Sequence, residues 1–160
     1  MVPGHNRRKS WREKLMDSKG MPKVETLEGR QAEKWGEGTV VIPAPLEVDE
    51  IMRKVPEGKL ITINHIRKAL AKKHSTTIAC PICTGIFASI AAHAADEASE
   101  AGEKNATPYW RTLKEGGVIN EKYPGGLEGQ MSRLEKEGHV VVPKGKKLVV
   151  KDFEKSLADV

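Results

Sequence analysis

The sequence predicts a mainly α, winged helix-turn-helix-like domain with a small C-terminal β-hairpin and a flexible N-terminal arm. Three observations carry that prediction. Residues 75–95 (STTIACPICTGIFASIAAHAA) are uncharged, and Ile82, Ile86, Ile90 and Ala94 recur at helical spacing behind Pro81, a residue suited to a first helical position. From residue 59 to residue 95 the basic residues are Lys59, Arg67, Lys68, Lys72 and Lys73, with no Asp or Glu among them. Further on, HVVVPKGKKLVVK reads as two short strands around a turn at residues 143–146. A positive helix followed by an apolar one suggests the two helices of a helix-turn-helix, and hence nucleic acid as partner.

Residues 1–35 mix Gly, Pro and charge without sustained periodicity, apart from a short helix near residues 11–16. They read as a basic, largely flexible arm, with nine Lys/Arg against five acids. Such an arm docks through Trp11, binds phosphates through Arg7, Arg8 and Lys9, or stays solvated. The domain proper is expected over residues 36–151. Val48, Ile51, Met52 and Val55 mark a first helix that stops before Pro56. A second starts behind Thr62 as N-cap and runs to about Lys73, with Ile63, Ile66 and Leu70 inward and Arg67, Lys68, Lys72 and Lys73 outward. That basic face lies along a phosphate backbone or only solubilises the helix. Residues 74–79 form the turn and 81–96 the next helix, whose acidic end (Asp96, Glu97, Glu100) opposes the helix dipole and is expected to fray. Leu127, Met131 and Leu134 mark a fourth helix ending at Gly138. The hairpin follows, and Lys144, Lys146 and Lys147 make it a wing or merely protect a sheet edge. Residues 152–160 read as a C-terminal tail that forms a loose helical turn.

Composition narrows the function. The chain has 160 residues, a formal net charge of +5 and 38% hydrophobic residues, which suit one domain and a polyanionic partner. No apolar signal segment opens the sequence, and two cysteines are no disulfide framework, so a cytoplasmic protein away from membranes is expected. Cys80-Pro81-Ile82-Cys83 is a CxxC at a helix start, where the dipole favours thiolate and metal or redox chemistry. It stands apart from any βαβ pattern and from a full set of zinc ligands. The other reading is a pair of small core residues. Neither a catalytic triad, a phosphate loop nor paired carboxylates stand out, and no metal or cofactor is expected. Tyr109-Trp110-Arg111 offers rings and a cation that stack on bases, or that plug the core.

Several segments together resemble the DNA-binding domain of methylated-DNA-protein cysteine methyltransferases. Residues 55–62 (VPEGKLIT) before a basic helix resemble its opening, and Thr84-Gly85 its recognition helix. Pro108-Tyr109-Trp110-Arg111 stands where the family has Pro-Cys-His-Arg, Tyr123-Pro124-Gly125-Gly126-Leu127 where it has Tyr-x-Gly-Gly, and Glu137-Gly138-His139 closes the likeness. The resemblance covers about residues 44–139 and implies DNA as partner. In the family the cysteine accepts an alkyl group from a flipped guanine, the histidine activates it and the glutamate orients the histidine. Here Tyr109, Trp110 and Glu137 occupy those places, and a phenol with a pKa of about 10 does not replace a thiolate. The base-extruding Tyr and Arg are matched by Ile63 and Ile82, and the segment between Gly85 and Pro108 is longer than the family's. The chain is therefore similar to alkyltransferase-like proteins that lack the acceptor and flag damaged DNA for repair.

The expectation is a non-catalytic double-stranded-DNA-binding protein, recognising alkylated or otherwise damaged DNA and working with a repair partner. Its DNA-binding candidates are Arg67, Lys68, Lys72, Lys73, Thr76, Thr77, Thr84, Tyr109, Trp110, Arg111, Tyr123, Gly125, Gly126, Lys144, Lys146 and Lys147. The alternatives are a thiol redox or metal-binding protein acting through Cys80 and Cys83, or a protein-binding scaffold on the same fold.

Overall fold

The computed structural model describes residues 9–159. Its elements run α1 (Trp11–Met16), β1 (Lys23–Thr26), α2 (Arg30–Trp35), β2 (Thr39–Ile42), α3 (Pro45–Arg53), β3 (Ile61–Thr62), α4 (Ile63–Lys73), β4 (Ile78–Ala79), α5 (Pro81–Glu100), β5 (Thr112–Leu113), α6 (Gly126–Lys136), β6 (Val141–Lys144) and β7 (Lys147–Val150). Helices dominate, and the strands form three small sheets: β1-β2-β4, β3-β5 and β6-β7. Among the described residues no helix is long and apolar enough to cross a membrane.

Local chemistry sets the helix starts. Pro45 and Pro81 each open a helix at a position that needs no N–H partner. Glu47 accepts from the Ala44 N–H at 3.0 Å, and Thr62 caps α4 by accepting from the His65 N–H at 3.3 Å. The expected helices over α3, α4 and α6 are thus present with the expected inward residues. Val48 and Met52 of α3 meet Ile66 and Leu70 of α4 and Phe87, Ala88 and Ala91 of α5 in the main core. Each of the larger aliphatic residues there contributes about 1.5–3 kcal/mol by leaving water. A second cluster, Leu60, Leu113, Ile119, Leu134 and Val150, lies between α6, the short β3-β5 pair and the hairpin.

Four expectations need correction. The flexible arm does not describe residues 9–35, which fold against the domain: β1 pairs antiparallel with β2, and α1 lies on α5. The docking through Trp11 that the sequence offered for this segment is present: Trp11 stacks on His93 with ring centroids 4.4 Å apart. Arg7 and Arg8 lie outside the described residues. The end of α5 is also not frayed. Glu97, unfavourable for its own helix dipole, accepts from the backbone N–H groups of Trp11 at 3.1 Å and Arg12 at 3.0 Å, so it caps α1 instead.

The inward face of α5 differs as well. Ile82 and Ile86 are 58% and 53% exposed, whereas Ile90 and Ala94 are buried. Every fourth residue advances by about 40° around a helix of 3.6 residues per turn. The row from Ile82 to Ala94 therefore sweeps roughly 120° and crosses from solvent into the core, while Thr84, Phe87, Ala88, Ala91 and Ala95 hold the buried stripe. The C-terminal residues hold the short helical turn expected of them, over Phe153–Ser156, and the backbone around it is tied to the domain. Leu60 donates to the Ser156 carbonyl and Ala158 to the Leu60 carbonyl, each at 2.8 Å, which lays residue 157 beside residue 60. In the hairpin Pro143 lies within β6, and Gly145-Lys146 alone make the turn.

Candidate nucleic-acid interface

The α4-turn-α5 unit sorts its expected DNA contacts into free and engaged groups. Among the described residues the cationic ends of ion pairs are Lys9, Arg12, Lys23, Arg53, Lys73, His74 and Arg111. Lys68 and Lys72, both exposed on α4, are outside that set, as are Lys144, Lys146 and Lys147 at the hairpin tip. Lys73 is engaged: its ammonium lies 2.7 Å from Glu47, which also lies 2.7 Å from His74 Nε2. Burial pushes the Glu47 carboxyl up, but these partners and the Ala44 N–H outweigh it and hold the carboxyl below its ordinary value. Arg67 donates through Nε to the Ala79 carbonyl at 2.9 Å and through its guanidinium to Asn64 at 3.1 Å. It ties α4 to β4 and lines, with Lys68 and Thr77, a shallow groove of about 410 Å³.

The threonines divide similarly. Thr76 donates to the Ile78 carbonyl at 3.0 Å. Thr77 is exposed, although its hydroxyl accepts from the Thr39 N–H at 3.0 Å. Thr84 is corrected as a DNA contact: it is fully buried, and its hydroxyl donates to the Cys80 carbonyl at 2.7 Å. A threonine on the inner stripe of α5 satisfies its hydroxyl one turn back rather than reaching outward.

The second group centres on Glu137. One carboxylate oxygen accepts from Trp110 Nε1 at 2.9 Å and from the Arg111 guanidinium at 2.7 Å. Arg111 Nε reaches both oxygens, at 2.9 and 3.1 Å, and the Gly58 N–H approaches at 3.4 Å. Arg111 also donates to the Val55 carbonyl at 2.7 Å. Burial pushes the Glu137 carboxyl up, but the donors from Arg111, Trp110 and Gly58 outweigh it and hold it below its ordinary value. Arg111 is therefore committed to an internal pair and is corrected as a phosphate contact. The oxygen that the resemblance gives to an orienting hydrogen bond does make one here, to an indole. An indole N–H donates only, so Trp110 offers no nitrogen that takes up a proton.

Tyr109 and Tyr123 are 3% and 2% exposed and meet edge to face at 5.6 Å, so neither ring is open to stack on a base. Both are corrected as surface contacts, and burial pushes both hydroxyls above the ordinary tyrosine value. Trp110 is half-buried. Gly125 and Gly126 adopt φ of +81° and +65° in succession. A Cβ on Gly125 would stand 3.1 Å from Gly129 Cα, so this pair makes the sharp entry into α6.

Two residues here escaped the sequence reading. Arg133 of α6 lies over Trp110 with 4.8 Å to the ring centroid and over Tyr109 with 5.7 Å. With Asp96, Ser99 and Lys104 it lines a pocket of about 230 Å³ against the two rings. Gln130 is fully buried, accepts from the Asn120 N–H at 2.6 Å and donates to the Trp110 carbonyl at 3.1 Å. Its signal was its phase, since position 130 lies between Leu127, Met131 and Leu134 on the apolar side of α6.

The cysteines play a structural part. Cys80 is buried and caps α5, its sulfur accepting from the Cys83 N–H at 3.4 Å. Burial and the adjoining Cys80 push the Cys83 thiol up to about 11, overriding any help from the helix start. Among the described residues no three His, Cys, Asp or Glu side chains gather where they could hold a metal. The redox or metal alternative is thus not favoured.

No family model and no curated protein matches the chain. Among solved structures it is similar to S. pombe Atl1 in complex with damaged DNA containing O6-carboxymethylguanine, at TM-score 0.50 and 16% identity. That likeness covers 72% of this chain and 94% of the other. The chain has the fold of an alkyltransferase-like protein.

Proposed function

We propose that this chain is a non-catalytic, alkyltransferase-like protein that binds duplex DNA and recognises alkylated guanine in it. The observation that carries the reading is the fold shared with Atl1, a protein solved on damaged DNA. The exposed and unpaired Lys68 and Lys72 of α4 supply phosphate contacts, and Lys144, Lys146 and Lys147 at the hairpin tip support its reading as a basic wing. A buried phenol at position 109 and a proton donor at position 110 support binding without alkyl transfer. A repair protein that follows the bound lesion is the partner this role needs.

The test is fluorescence anisotropy of the purified chain on a duplex carrying one O6-alkylguanine and on its plain counterpart, at two salt concentrations. Tighter binding of the lesion duplex, weakening as salt rises, supports the reading. Absence of binding at low salt, or transfer of the alkyl group to the protein in stoichiometric yield, removes it.

A further inference from the structure

Between α1, α3, the far end of α5 and residues 103–107 lies a cavity of about 430 Å³. That volume is within the range of roughly 300–1,000 Å³ that small-molecule sites occupy. Its apolar wall is built from Ala94, Ala95 and Ala98 of α5 with Leu15 and Met16 of α1. Met16 is 68% exposed, more than any other large apolar side chain among the described residues, so covering it with hydrocarbon is favourable. Ala94 stands about 18 Å along the α5 axis from Ile82, which sets the cavity apart from the helix-turn-helix end of α5.

The charged lining selects the occupant. It consists of Arg12, Arg53 and Lys104 with Asp49 and Glu103. Both acids are paired within the wall: Asp49 with Arg53 at 3.2 Å, and Glu103 with Arg12 at 2.6 Å. Asp49 is buried and also accepts from the Thr107 hydroxyl at 2.6 Å, while Arg53 donates to the Asn105 carbonyl at 2.7 Å, so these groups are held in place. Lys104 is outside the ion pairs of the described residues. The charge left unanswered is therefore positive. The Arg12–Glu103 pair is half-exposed on both sides, and surface pairs of that kind are weakly held. An incoming anion can take Glu103's place on Arg12.

We infer that this cavity binds a small amphipathic monoanion, a carboxylic acid with a hydrocarbon body. The hydrocarbon lies on Ala94, Ala95 and Ala98 beneath Met16, and the carboxylate meets Lys104 and Arg12. The site is independent of the DNA-binding reading. Because its walls come from both α1 and α5, its occupant joins the N-terminal segment more firmly to the domain.

The experiment titrates the isotope-labelled full chain with 4-phenylbutyrate, 4-phenylbutyramide and 4-phenylbutylamine, which present one phenylalkyl body with three head-group charges, and follows backbone amide chemical shifts. 4-Phenylbutyrate should shift residues 12–16, 94–98 and 103–107 with a Kd of about 1 mM. It should bind roughly three- to fivefold tighter than the amide, with the amine weakest. Lys104→Glu removes the preference for the acid. Ala98→Leu fills the apolar wall and abolishes the shifts while circular dichroism keeps its wild-type form. With acid at ten times its Kd, hydrogen exchange of residues 11–16 slows by up to about tenfold. Absence of shifts confined to these residues at about 10 mM acid, equal or tighter binding of the amide or amine, or an unchanged preference in Lys104→Glu overturns the inference. An acetylated alanine tripeptide extended by a C-terminal phenylalanine that displaces the acid at tenfold lower concentration assigns the site to a protein C-terminus and overturns the small acid.

Discussion

Replacing Glu137 with alanine tests the keystone of the Trp110-Arg111 region. The carboxylate and its arginine partner are 8% and 13% exposed, so the substitution leaves a buried guanidinium without its counter-ion. Breaking such a pair from one side costs about 3–5 kcal/mol. The Trp110 and Gly58 N–H groups lose their acceptor in the same event, which places the effect toward the upper end of that range. For a chain of this length each kcal/mol lowers Tm by about 2–4 °C, so the expected fall is roughly 6–20 °C by calorimetry or circular dichroism. Arg111→Met/Glu137→Leu should recover most of the loss, because a well-filled apolar pair is often as stable as a buried ionic one. A fall of less than about 3 °C, or a double variant as poor as the two single changes combined, refutes the reasoning. The pH dependence has a definite sign. The folded-state pKa of Glu137 is lowered, so its contribution is complete above the unfolded value of about 4.3 and drains away as pH falls through the folded value. Glu137→Gln should flatten the Tm curve across that acidic range.

Three other outcomes are expected. Lys68→Ala and Lys72→Ala should each weaken plain and damaged duplex alike and make the slope of log K against log salt shallower by about 1; an unchanged slope places these residues off the phosphate backbone. Glu97→Ala removes the acceptor of two helix N–H groups, worth about 1–2 kcal/mol. Residues 11–16 should then exchange amide hydrogen about five- to thirty-fold faster by mass spectrometry while the rest of the chain holds, and uniform exchange contradicts the capping role. Cys83, with its thiol near 11, should react slowly with iodoacetamide at pH 7.5 and accelerate only as pH approaches 11, whereas rapid labelling at neutral pH revives its reactivity.

Where a residue's partner lay within a few positions, the sequence showed the outcome. Thr62 before a basic amphipathic segment, Pro81 at a helix start, and Gly145 between β-branched runs all act through neighbours one to four positions away. What escaped depends on distant partners. Glu97 looks like an ill-placed acid until α1 arrives from 86 residues away. Arg111 looks like a free phosphate ligand until Glu137 is beside it. Ile82 and Ile86 share hydrophobicity with Ile90, and only the phase of a 20-residue helix against its neighbours decides which of them meet water. The longer segment between Gly85 and Pro108, unexplained by resemblance, supplies the distal half of α5 on which α1 lies.

The bridge between Leu60 and Leu157 has a consequence for synthesis. Leu60 is fully buried in the second cluster, and both of its backbone groups are satisfied by residues almost a hundred positions later. The turn that precedes α4 thus stays unsealed while the ribosome makes α4, α5, α6 and the hairpin. Val150 joins the same cluster late, so this part of the protein closes only after residue 158 has cleared the exit tunnel. The Val48-Met52-Ile66-Leu70 core has most of its chain available much earlier and is free to condense first. The nascent protein should emerge with one core assembled and another awaiting its final strip of backbone, a window in which a chaperone or protease would meet Leu60 uncovered.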